Sequence, residues 1–231
     1  MNTNANPPEH STGASPPSTR VWDLPVRLFH WALAVVILFS YISGEIGGNW
    51  LEWHMYSGFT ALGLVLFRVV WGFVGGYHAR FANFVRGPVA VMTYLRALLA
   101  GNYQPTVGHN PLGAVSVLVL LLSVAVQAVT GLFANDDVML EGPLASHVSK
   151  RTSDFLTGIH EVNSNLLLGL IALHIIAIAY YWFAKKENLL KPMVTGVKPI
   201  AGQVPAAPRP AWLAWVVALI VAAAVYLIVK K

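Results

Sequence analysis

No cysteine occurs in the 231 residues. That excludes disulfides, iron–sulfur clusters, thiolate zinc sites and covalent Cys-x-x-Cys-His haem attachment together, and leaves any metal centre to His, Met, Asp or Glu. Charge is nearly as scarce. Only 11% of the residues are Asp, Glu, Lys or Arg, against 56% hydrophobic, where a soluble domain carries about 25% charged residues. The chain therefore reads as an integral membrane protein. Its formal net charge of +5 is not a nucleic-acid signal, because in a membrane protein the division of charge between the two sides is what matters. The first twenty residues, MNTNANPPEHSTGASPPSTR, lack the apolar core of a signal peptide. Rich in Pro, Ser, Thr and Asn, they read as a disordered tail, with His10 idle in it.

What is present is a set of long apolar runs. A first span is expected from Val26 to Ser43, started by Asp23 as cap and Pro25 with its preset φ. A second is expected from Leu51 to Val74, a third from Pro111 to Phe133, a fourth from Phe155 to Phe183 and a fifth from Trp212 to Val229. PVAVMTYLRALLA, residues 88–100, suits a short helix in the interface. The fold class is thus an all-α membrane protein, a four-helix transmembrane bundle with a fifth, C-terminal transmembrane helix. The expected division is a tail over 1–20, a bundle over 21–192, a linker over 193–210 and the last helix over 211–231. The connections 75–108 and 184–210 are basic, whereas 44–52 and 134–154 are acidic. By the positive-inside bias the N-terminus is cytoplasmic and, after five spans, the C-terminus lies outside.

Ionisable side chains inside a membrane are costly and usually face the bundle interior with a partner. The fourth span carries two, His160 and His174, fourteen residues apart. That is close to four helical turns, so both project from one face, roughly 21 Å apart along the axis. One therefore lies near each boundary of a hydrocarbon core about 30 Å thick. His30 sits one turn into the first span and His54 in the first turn of the second. Those two spans run antiparallel, so His30 falls at the depth of His174 and His54 at that of His160. Two histidine pairs bridging helices suit two haem b groups stacked across the bilayer in a bundle core. With imidazole on both axial positions no iron site stays open, which favours electron transfer over oxygen chemistry.

Neighbouring residues fit this pattern. Gly58 lies one turn from His54, and Gly44, fourteen residues after His30, faces the outer depth; both offer space to a flat macrocycle, although glycine in a span is also a common packing contact. Arg27 and Arg68 are the cations placed to pair with anionic propionates at the inner depth, although either can snorkel to the interface. His109, Asn110 and Gly113, in the stretch GHNPLG, open the third span. Asn110 as cap and Pro111 at the first helical position explain the helix start. The same polar cluster could instead donate hydrogen bonds to a quinone beside the inner pair. His78 and His147 fall in loops and read as solvated, and Glu161 as a surface carboxylate.

RLFHW with His30, His54-x-x-x-Gly58, and His160 with His174 at fourteen-residue spacing resemble the di-haem family of bacterial cytochrome b561. That family includes the cytochrome b subunits of nickel–iron hydrogenases and the gamma subunit of formate dehydrogenase. The resemblance covers about Val21 to Pro192. It implies one haem b between the first and fourth helices, on His30 and His174, and one between the second and fourth, on His54 and His160. It also implies a quinone site near the inner haem, and a place in a bacterial inner membrane with the outer side, and so the C-terminus, periplasmic.

Three function classes are open on these residues. The first is an electron carrier between the quinone pool and a periplasmic partner, a cytochrome c or a dehydrogenase or hydrogenase subunit. The second is a superoxide:quinone oxidoreductase of the same fold. The third is a non-redox transport or structural bundle. A histidine metal site needs ligands converging at one depth, and these lie in two layers, which counts against the third. The outer loops carry Glu45, Glu52, Asp136, Asp137, Glu141 and Asp154 against Lys150 and Arg151. That acidic face repels superoxide and attracts a basic partner, which favours the first.

Overall fold

Asp23 fixes where the first helix begins. In the computed structural model, which describes residues 18–138, 140–200 and 209–230, its carboxylate accepts from the Val26 N–H at 2.9 Å, and Pro25 stands in the first turn of α1, Leu24–Ile46. The chain reverses through Gly47 and Gly48, with φ of 68° and 54°, values that favour glycine because a Cβ clashes there. It returns as α2, Trp50–Val74. Two short helices follow, α3 (Phe81–Phe84) and the apolar α4 (Pro88–Leu99). The Asn110 side chain then caps α5, Pro111–Gly131, accepting from the Gly113 N–H at 2.7 Å.

Helix α6 runs Lys150–Ala184. Its 35 residues extend for about 52 Å, well beyond a hydrocarbon core of about 30 Å. The span expected from Phe155 gains a first turn with Lys150, Arg151 and Asp154, started by the Ser149 hydroxyl, which accepts from the Thr152 N–H. A short α7 (Leu190–Thr195) and the long apolar α8 (Ala211–Val229) complete the helices. Five of these helices, α1, α2, α5, α6 and α8, are long and apolar enough to cross a membrane.

The helices pack as two hairpins, α1 with α2 and α5 with α6, joined by α2 against α5, while α8 lies along α2. Mid-bundle, Ala61 and Val65 of α2, Val124 of α5 and Leu167 of α6 are buried together, with Leu33, Val36 and Ile37 of α1 against them. On α8 the residues Val217, Val221 and Val225, one turn apart, are buried against Leu62, Ala128 and Leu132. The fifth helix is thereby a packing helix on α2 and α5. The opposite sides of α1 and α8 leave Val35, Leu38, Leu219 and Leu227 exposed, as expected of faces that meet lipid.

The face of the bundle where α1 begins is closed by the connections. Asp23 also accepts from the Trp71 indole N–H at 3.1 Å, and Trp71 is 1% exposed. Thr19 and Arg20 (β1) pair antiparallel with Val197 and Lys198 (β2). Lys198, buried, forms an ion pair with Glu187 and donates to the Thr106 carbonyl. The end of the expected N-terminal tail and the start of the expected linker are therefore joined in one ribbon, held by backbone hydrogen bonds that composition does not encode. The remainder of both stretches, residues 1–17 and 201–208, lies outside the described residues.

Candidate functional site

The best-defined site lies at the far end of the bundle, where α1 meets α2. His54, in the first turn of α2, points its Nδ1 at the Ser40 carbonyl of α1, 2.8 Å away, with the Ser40 hydroxyl at 3.3 Å. His160, on α6, points its Nδ1 at the Gln127 carbonyl of α5, 2.9 Å away, with the Thr130 hydroxyl at 3.3 Å. A carbonyl can only accept, so each ring carries its proton on Nδ1 and leaves Nε2 with a free lone pair. That is the usual arrangement for a metal-binding histidine, whose second nitrogen is held by a backbone carbonyl.

The two rings stand 6.0 Å apart, centroid to centroid, with planes 80° to each other. Two metal–nitrogen bonds of about 2 Å and the depth of two half-rings add to a similar separation, so the pair fits the two axial positions of one iron. The rings border a cavity of about 410 Å³, whose wall includes Gly44, Gly58 and Gly131. Gly58 is open there, with nothing within 4 Å of where a Cβ would be. The ring of His54 itself is the nearest neighbour of Gly44, so this glycine makes room for the imidazole. Among the described residues no three His, Asp or Glu side chains converge; the imidazoles meet in pairs.

The second pair lies near the N-terminal face. His30 of α1 is close enough to His174 of α6 for their charges to interact. The Trp31 ring meets His30 edge-on at 5.0 Å. The Nδ1 of His30 is buried without a hydrogen-bond partner among the described residues. Arg68, 3% exposed, lies over the Phe81 ring at 4.9 Å, near Asp23, and its buried Nη1 has no hydrogen-bond partner among the described residues. Arg27 donates from Nη1 to the Val194 carbonyl of α7 and keeps a buried Nε without a partner among the described residues. Both arginines thus stay at the bundle end where the sequence puts them, with donor capacity left over.

At the start of α5, the Asn110 side chain spends its oxygen on the helix cap and donates from Nδ2 to the Tyr181 hydroxyl at 3.2 Å. Tyr181 is also 3.0 Å from the Tyr94 hydroxyl. The His109 ring lies 4.5 Å from both Trp22 and Phe84, with its Nδ1 buried and without a partner among the described residues. Burial, then the Arg68 charge, then His78 holds His109 well below the ordinary histidine range, so it is neutral at physiological pH. His78, read as solvated from its loop, is instead partly enclosed beside Trp22 and Gly108, with its own titration lowered by burial.

Behind His160 lies a buried polar clamp whose partners hydropathy does not reveal. Asn163 donates to the Ser123 carbonyl at 2.9 Å and to Gln127 Oε1 at 2.7 Å, and Ser123 donates to Asn163 Oδ1 at 3.1 Å. It ties α5 to α6 one turn from His160. Asn163 lies three residues after His160, on the same side of the helix, and that spacing is the signal that could have found it.

The family model described as prokaryotic cytochrome b561 matches residues 21–196. Among curated relatives, the chain is 26% identical over 197 residues to a probable Ni/Fe-hydrogenase B-type cytochrome subunit of Azotobacter chroococcum mcd 1, covering 74% of this chain and 81% of that one. It is 31% identical over 138 residues to a protein of the same description from Azotobacter vinelandii, covering 48% of this chain and 57% of that one. A third, from Bradyrhizobium diazoefficiens, is 29% identical over 142 residues, again over 57% of its length. The chain thus spans little more than half of the latter two relatives. No solved structure matches at comparable stringency.

Proposed function

This chain belongs to the prokaryotic cytochrome b561 family, a membrane electron-transfer cytochrome of the b type, and from that premise we propose that it holds two haem b groups in two layers. We propose further that it carries electrons across the membrane between quinone at the N-terminal face and a redox partner at the opposite face. Haem b supplies reversible one-electron chemistry when bound. His54 and His160 hold one group, and His30 and His174 the other. The observation that carries the reading is the pair of Nδ1–carbonyl bonds at His54 and His160, which leaves two bare Nε2 atoms facing one cavity.

Around the N-terminal pair, Arg68 and Arg27 have donors to offer carboxylates, and Arg68 does so from a buried position where charge pairing is strong. The quinone is assigned to the entry at GHNPLG. There His109, Asn110 and the Tyr94–Tyr181 hydroxyls supply hydrogen-bond donors, and Gly113 keeps the start of α5 slim. On the opposite face the acidic residues Glu45, Glu52, Asp136 and Glu141 suit a basic cytochrome c or a dehydrogenase subunit. The description shared by the three relatives points to a hydrogenase subunit. The N-terminus is assigned to the cytoplasm and the C-terminus to the periplasm, with residues 21–192 as the haem-bearing unit.

Stopped-flow mixing with a short-chain quinol, followed at the haem bands, tests the quinone assignment. Asn110→Leu is expected to slow haem reduction at unchanged haem content; reduction at the wild-type rate puts the quinone elsewhere. A reporter inserted near Gly101 is expected on the cytoplasmic side, and the reverse inverts the bundle.

A further inference from the structure

Two glycines stand where a histidine ring meets a helix carbonyl, and they do so in the same way on two different helices. On α1 the Ser40 carbonyl takes the His54 Nδ1–H at 2.8 Å. Gly44, four residues on, is the residue whose N–H that carbonyl accepts within the helix. A Cβ on Gly44 would lie 2.9 Å from His54 Nδ1 and 3.2 Å from its Cε1. On α5 the Gln127 carbonyl takes the His160 Nδ1–H at 2.9 Å, and the residue four on is Gly131. A Cβ there would lie 3.0 Å from His160 Cε1 and 3.3 Å from Nδ1. Side chains four residues apart share a helix face, so an ordinary residue at either place would screen the carbonyl from a ring arriving from the side. Neither glycine has a positive φ; what each supplies is approach, not backbone freedom.

We propose that Gly44 and Gly131 are positioning residues for the haem b between His54 and His160. Each admits one axial imidazole to a helix carbonyl, and together they set the two ring planes 80° apart. The proposal rests on the reading of His54 and His160 as ligands. It has two consequences that mere space-filling does not. A low-spin ferric haem whose axial planes are close to perpendicular gives a strongly anisotropic EPR signal, whereas near-parallel planes give an ordinary rhombic one. A Nδ1–H held by a carbonyl makes the imidazole more basic, which favours the ferric state and lowers the midpoint potential.

The test is EPR and redox titration of the purified full-length chain, with haem counted by pyridine haemochrome. The wild-type ferric spectrum is expected to contain a strongly anisotropic component that His54→Ala abolishes. Gly44→Ala, at two haems per chain, is expected to move that component towards a rhombic signal and raise its midpoint potential. Gly131→Ala does the same to a smaller extent, its contact being looser. Unchanged signal and potential in both glycine variants at full haem content overturns the proposal. So does a wild-type spectrum without the anisotropic component, which decides the matter even if a variant fails to assemble. The underlying ligand reading fails on a different observation, a His54→Ala chain that still binds two haems.

Discussion

The two histidine pairs share α6, and they differ in what stands behind the rings. At the far end, both imidazoles are hydrogen-bonded through Nδ1 to helix carbonyls, glycines admit them, and the Ser123–Gln127–Asn163 clamp fixes α5 against α6 beside His160. At the N-terminal end, His30 Nδ1 has no partner among the described residues. The dominant feature there is a buried cation, Arg68. Buried polar atoms without a partner, including Arg27 Nε, His78 Nε2 and His109 Nδ1, collect at that end. On the proposed reading, one fold presents two ways of setting a bound group's electronics. Ligand basicity raised by hydrogen bonding favours the oxidised form, and a nearby cation in a low-dielectric site favours the reduced form. The N-terminal layer is accordingly expected at the higher potential.

Replacing the four paired histidines is expected to give the largest effects. His54→Ala and His160→Ala should each remove one haem of two and the same redox component, while His30→Ala and His174→Ala remove the other. Redox titration of the four variants reads this, and loss of a common component in His30→Ala and His160→Ala breaks the comparison. Next comes Arg68→Leu. Deleting the buried cation should lower the midpoint of the His30–His174 component and leave the other in place. An effect on both, or on the far component alone, would show that Arg68 does not belong to the N-terminal layer.

Asn163→Leu should cost about 1–2 kcal/mol in stability, since it leaves Ser123 and Gln127 unpaired inside the bundle. Its spectral effect should be confined to the His54–His160 component. A variant as stable as wild type, by thermal unfolding in detergent, argues that the clamp is idle. The smallest effect is the pH response at the N-terminal face. His109 titrates lower in the folded chain, near 3, than its ordinary 6.5, so the unfolded chain binds a proton that the folded chain does not. Stability from this group is fully present above about 6.5 and falls as the pH drops below it. The partly enclosed His78, also lowered by burial, adds a term of the same sign. Melting temperatures between pH 7 and 5 should therefore fall less steeply in His109→Gln than in wild type, and equal slopes exclude His109 as a source.

The spans, the histidine depths and the cap residues Asp23 and Asn110 were legible because they depend on hydropathy, helical period and local backbone chemistry. Gly44 was legible as facing the far layer, but its nearest neighbour is the His54 ring, which no periodicity reveals. Gly131 gives no such sign, because α5 carries no histidine from which a spacing could be counted. The carbonyls of Ser40 and Gln127 leave no trace in a sequence, since every residue has one. The ribbon joining Thr19–Arg20 to Val197–Lys198 was hidden for the same reason. Asn163 and Arg68 mark the boundary between the two cases. Both are polar residues inside apolar runs, so each was visible as an anomaly, yet only the fold tells which neighbours absorb the cost.

The most direct test of the account is the number of haem b groups per chain in the purified wild-type protein, from pyridine haemochrome absorbance against quantitative amino-acid analysis. Two histidine pairs in two layers predict two. A correctly folded, membrane-extracted chain with one haem or none contradicts it.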